Sequence, residues 1–135
     1  MKLISPVSST KKWREDMKIV RLEDAISEVK RLAEEKLARG ESADEFVQIG
    51  EADGFKLYVT AGKTIKDEFP MSFHENPRDV FMLVFEGEVE FTFEKGEKKV
   101  TVKIGQCFVL PKQLKHHCVF RKMTVAIEGV YERGL

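Results

Sequence analysis

Three histidines and two cysteines are the residues of this 135-residue chain best suited to chemistry near neutral pH. His74 stands in "SFHENPRDVF" with Asn76 two places on, and His116, His117 and Cys118 run together in "LKHHCVF". In an extended strand, residues two apart share a face. His74 and Asn76 therefore point one way, His116 and Cys118 share a face, and His117 takes the opposite one. Two imidazoles are part of a donor set for Zn, Fe or Ni, and a Cys thiolate favours Zn or Cu(I). An Asn carbonyl is a poor substitute for imidazole on a transition metal. Asp79 has the wrong parity to join them unless Pro77 introduces a bulge that turns it inward. Without a metal, one histidine could act as a general base. The bland reading is a set of polar side chains that bind water, each other or a small ligand.

The elements that must position these residues are legible from periodicity. "RLEDAISEVKRLAEEKLARG" carries Leu22, Ile26, Val29, Ala33 and Leu37 at spacings of three and four, one apolar helical stripe. Glu23 and Asp24 suit its positive end, and Gly40 can end it in a left-handed conformation. After Gly40 the period becomes two. "GFKLYVTAG" alternates Phe55, Leu57 and Val59 against Lys56, Tyr58 and Thr60. "EVEFTFE" and "KVTVKI" form a hairpin through "EKGEK". Each pair is expected to have one wet and one dry face. "VFMLVF", "CFVL", "HCVF" and "MTVAIEGVY" add further strands, and strands are expected upstream from Glu45. Roughly eight short strands at this spacing predict a sandwich or barrel. Phe81, Phe85, Phe91 and Phe93 read first as core, and Cys107 and Cys118 as small buried hydrophobes. Residues 1–16 form an arm or edge strand, and "MKIV" a short apolar segment.

Composition narrows the partners. Lys plus Arg equals Asp plus Glu, 23 each, so the formal net charge is zero. That balance argues against nucleic acid or an anionic membrane as the main partner. Charged residues make up 34% of the chain, with a single Asn and three Gln, a profile similar to proteins from hot environments. No apolar run reaches membrane-spanning length, and the N-terminus has no apolar stretch resembling a secretory signal. The cysteines lack a CxxC spacing. The expectation is a cytoplasmic protein with free thiols.

The segment from His74 to Phe120 resembles the cupin family, whose motifs can be written G-x5-H-x-H-x3,4-E-x6-G and G-x5-P-x-G-x2-H-x3-N. Gly105, Pro111 and His116 match the second motif in register, with Gln113 at its second glycine and Phe120 at its asparagine. His74 and Gly87 match the first motif, with Asn76 at its second histidine, Val80 at its glutamate and Glu68 at its opening glycine. The resemblance implies an all-β barrel, a double-stranded β-helix or jelly roll, preceded by one amphipathic helix. The division is an arm and helix over 1–44 and a barrel over 45–135, in one compact domain. It implies that His74, Asn76, His116 and Cys118 approach one another inside the barrel, with Arg78 near its mouth. Its function would be to bind a small polar molecule, a sugar derivative or a carboxylate. The alternative is a metal-dependent enzyme of dioxygenase or isomerase/epimerase type, using His74 and His116 with a substitute ligand, Asn76, Cys118 or Asp79. Cofactor expectations follow the same fork: none, or one divalent transition metal (Zn, Fe, Ni or Mn) on His74, His116 and Asn76. Small cupins often pair as homodimers through edge strands and N-terminal segments, and the arm over 1–16 would serve that contact.

Overall fold

A computed structural model describes residues 19–66, 73–94 and 99–131. The expected arm over 1–16 and residues 95–98 of the "EKGEK" turn lie outside the described residues. One helix, α1 (Leu22–Ala38), precedes eight strands. These are β1 (Ala43–Ala52), β2 (Phe55–Lys63), β3 (Val80–Glu86), β4 (Glu88–Phe93), β5 (Lys99–Lys103), β6 (Cys107–Leu110), β7 (His116–Val119) and β8 (Thr124–Tyr131). Two antiparallel sheets result, one in the order β1-β2-β8-β3-β6 and the other β5-β4-β7. This is the expected two-sheet jelly roll with one amphipathic helix, and β1 takes in Ala43 and Asp44. No helix among the described residues is long and apolar enough to cross a membrane.

The helix explains why the large sheet is apolar on both faces. Ala25, Val29 and Ala33 are buried on α1 and pack on Val59, Ala61 and Val125 of the outer sheet face. Leu22, Ile26 and Leu37 flank this contact, so the apolar stripe does what its spacing predicts. Lys30 reaches Glu86 at the end of β3, Nζ to Oε1 2.7 Å, a partly exposed ion pair at the edge of the contact between helix and sheet. Gly40 follows the helix with φ +77°, the left-handed exit expected of it. The opposite face of the sheet looks into the lumen. Met82, Val84, Leu110 and Ala126 there meet Val89, Phe91 and Val102 of the small sheet.

Several side chains expected in the core are not there. Phe81 and Phe85 are exposed at 39% and 38%, because strand parity sends Met82 and Val84 to the lumen. Cys107 is exposed, not buried, for the same reason: β6 is an edge strand whose Phe108 and Leu110 point inward. The one-wet-face expectation also fails for β2. Val59 and Ala61 lie under the helix, while Thr60 on the other parity lines the lumen.

Tight turns carry the strand order. Asp53 and Gly54 both have positive φ, 48° and 81°, and join Ala52 to Phe55, its register partner across the hairpin. Gly87 turns β3 into β4 at φ +73°, and a Cβ there would stand 2.4 Å from the Met123 carbonyl oxygen. Thr124 locks the same corner. Its hydroxyl donates toward the Glu88 carbonyl (2.9 Å) and accepts from the Glu88 amide (3.2 Å).

Candidate functional site in the lumen

The segment before β3 is laced to the segment before β7 by main-chain bonds. His74 and His116 exchange two backbone hydrogen bonds, each 2.9 Å, as an isolated antiparallel bridge. The Gln113 amide donates to the Asn76 carbonyl at 2.8 Å, and the Lys112 amide donates to Asp79 Oδ1 at 2.7 Å. These contacts bring the two halves of the sequence motif into register. Gln113, which occupies the motif's glycine position, has φ +62°, the conformation a glycine adopts with least strain.

The bridge puts the two imidazoles face to edge, with ring centroids 4.2 Å apart and planes at 60°. His116 is 3% exposed. Its Nδ1 lies 2.8 Å from the Leu114 carbonyl oxygen. A carbonyl only accepts, so Nδ1 carries a proton and Nε2 is the free position. Phe91 packs beside it at 6.0 Å between centroids, and Phe108 packs on Phe91 at 4.9 Å.

A cavity of about 390 Å³ opens between the sheets here. His74, Asn76, Arg78, His116 and Cys118 all line it. Asp79 is not among its lining residues; it stays exposed and holds the Lys112 amide, so Pro77 does not turn it inward. His117 faces away and sets its ring against Phe73 at 6.5 Å.

Two acidic residues join the site that strand patterns did not single out. Asp44 of β1 and Glu128 of β8 line the same cavity. Glu128 lies between Tyr58 and Met82 in the sheet, on the parity of Ala126, facing inward. Burial, and then the charge of Asp44, push its carboxyl up to about 7. Burial and the charge of Glu45 raise Asp44 as well, against the pull of Lys36, but Asp44 is exposed and water blunts the effect. Cys118 is pushed up to about 12, by burial first and then by Asp44 and Glu128. It is a thiol, not a thiolate, at any ordinary pH. The signal for Glu128 was its place in "TVAIEGVY": Ala126, Glu128 and Val130 share a parity.

Whether the donors fit a resident metal can be tested directly. Among the described residues, no three His, Cys, Asp or Glu side chains gather as a cation site. The two imidazoles meet, but the third donor would have to be the Asn76 amide, and Val80 offers none. The described side chains do not fit a three-ligand transition-metal centre.

No family profile matches the chain. No curated protein matches it in sequence. Solved structures do match it in shape. A cupin superfamily protein from Desulfitobacterium hafniense aligns with TM-score 0.55 at 14% identity, covering 69% of this chain and 81% of that one. A cupin-2 domain protein from Shewanella frigidimarina aligns with TM-score 0.53 at 20% identity, covering 74% and 91%. The EutQ protein of Clostridium difficile aligns with TM-score 0.58 at 12% identity, covering 69% and 65%. These likenesses and the two laced motifs lead to one conclusion: the chain has the cupin fold.

Proposed function

We propose that the chain binds a small polar molecule, a carboxylate or a sugar derivative, in the lumen. The observation that carries this reading is the cavity of about 390 Å³ in which apolar walls surround a few convergent polar groups. That volume lies within the range of small-ligand pockets, roughly 300–1,000 Å³. Phe91, Phe108, Met82 and Val80 supply the wall, and His74, Asn76, Arg78 and His116 supply hydrogen bonds. His116 suits this role because its Nδ1 proton is tied to Leu114, which leaves Nε2 to accept from a ligand hydroxyl.

The test is elemental analysis together with native mass spectrometry of protein purified without chelator or affinity metal. A metal-poor protein whose mass falls by one small molecule on mild denaturation is the expected result. About one metal per chain together with metal-dependent turnover would overturn the reading in favour of an enzyme. Replacing His74 and His116 by Ala is expected to abolish retention of the small molecule.

A further inference from the structure

Two oppositely charged groups line the lumen without neutralising each other. Glu128 is half-buried and faces inward with no ion pair or hydrogen bond to any described residue. The neighbouring charge it feels, Asp44, has the same sign. Arg78 is half-buried and lines the same cavity with no ion pair to a described residue; its Nε, enclosed by protein and out of a ligand's reach, has no hydrogen-bond partner. Among the described residues the one hydrogen bond of Arg78 runs from Nη1 to the carbonyl of Pro77 at 3.1 Å. A half-buried charge with no counter-charge is unfavourable, on Glu128 as on the Arg78 guanidinium. Either group alone would be a local defect. Both in one cavity describe a ligand.

The strand register separates them. Met82 pairs with Glu128, and Arg78 precedes Met82 by four residues, a span of at most about 13 Å in extended chain. Between them the lumen wall is apolar: Val80, its partners Val130 and Leu110, and then Phe108 beside Met82. The geometry points to an amino carboxylate as the ligand, its carboxylate on Arg78, its ammonium on Glu128, and an apolar spacer against Val80, Val130 and Leu110. This rests on the lumen-binding reading and deepens it, because neither a plain carboxylate nor a neutral sugar would neutralise Glu128. Above neutral pH Glu128 is mostly ionised and ready for a cation. Asp44 reinforces the same field from β1.

Three six-carbon probes separate the charges: 6-aminohexanoate, hexanoate and hexylamine. Each is titrated at pH 8 into the full chain, followed by backbone amide signals of Met82, Phe91 and Cys118. The expected result is that 6-aminohexanoate binds about ten-fold or more tightly than either singly charged probe, the size of one charge-assisted hydrogen bond. Glu128→Gln should reduce its advantage over hexanoate to within about three-fold while leaving hexanoate binding intact, which also shows that the variant folds. Arg78→Gln should remove its advantage over hexylamine in the same way. If hexanoate binds as tightly as 6-aminohexanoate, or if Glu128→Gln leaves their ratio unchanged, the ammonium subsite is refuted and the lumen-binding reading survives. If none of the probes moves a lumen signal, the amino-carboxylate inference is overturned, while the lumen-binding reading stands or falls on the native mass spectrometry.

Discussion

Replacing Glu128 by Gln should stabilise the free protein, and only above a defined pH. The substitution keeps shape and removes charge. In the folded chain the Glu128 carboxyl titrates at about 7 instead of its ordinary 4.5, held up by burial and then by Asp44. A raised carboxyl means that the folded state binds a proton more tightly than the unfolded state. Below about pH 4.5 both states are protonated and Glu128 costs nothing. Between 4.5 and 7 the unfolded chain ionises first, so stability falls as pH rises. Above 7 the full penalty is present. That rise sets a ceiling of about 3 kcal/mol, at about 1.4 kcal/mol for each tenfold gain in proton affinity. Glu128→Gln should therefore match the wild type at pH 4 and exceed it by about 2–3 kcal/mol at pH 8. In a domain of this size that is a rise in Tm of roughly 10 °C. The other groups facing the lumen, Asp44, His74, Arg78, His116 and Cys118, are common to both proteins, so the difference between the two curves isolates Glu128. Urea unfolding followed by circular dichroism at pH 4, 5, 6, 7 and 8 measures it. Parallel curves across that range would mean that Glu128 is well solvated, and the reasoning would fail.

Three further outcomes follow from the corners and the thiols. Gly87→Ala should lower stability by more than about 2 kcal/mol, because φ is +73° and the new Cβ would meet the Met123 carbonyl and the Thr124 hydroxyl at 2.4 and 2.5 Å; denaturant midpoints read it. Gln113→Gly should raise stability by about 1 kcal/mol, since Gln113 sits at φ +62° and its amide bond to Asn76 is kept; an unchanged or lower midpoint would contradict that. Iodoacetamide at pH 8 should modify exposed Cys107 within minutes and leave Cys118 largely intact, since its thiol is raised to about 12 by burial and the nearby acids. Peptide mass mapping distinguishes the sites, and equal rates would show that Cys118 is open to water.

How much of the fold and the site is legible in the sequence depends on the range of the interaction. The helix is readable because its stripe from Leu22 to Leu37 is a local pattern, and its partner face needs only to be apolar. The hairpin of β4 and β5 is readable for the same reason, and "ADGF" carries a two-residue turn signal of equal strength. The pairing of His74 with His116 is reachable only through the resemblance, because 42 positions separate them and nothing local says that their strands touch. Parity alone misjudges Phe81, Phe85 and Cys107. Alternation says that a strand has two faces, but not which one a helix or a second sheet will cover.

The sequence by itself determined the elements, the corners at Gly40 and Gly87, and the side of each strand that every residue shares. Those follow from φ/ψ limits and from periods of two and 3.6, which act over a few residues. Only the tertiary structure decided that Glu128 and Asp44 enter the cavity of His74 and His116, that Arg78 keeps a buried donor without an acceptor, and that Cys118 stays a thiol. Burial and field at a site are sums over every strand around it, and no single segment of chain contains that sum.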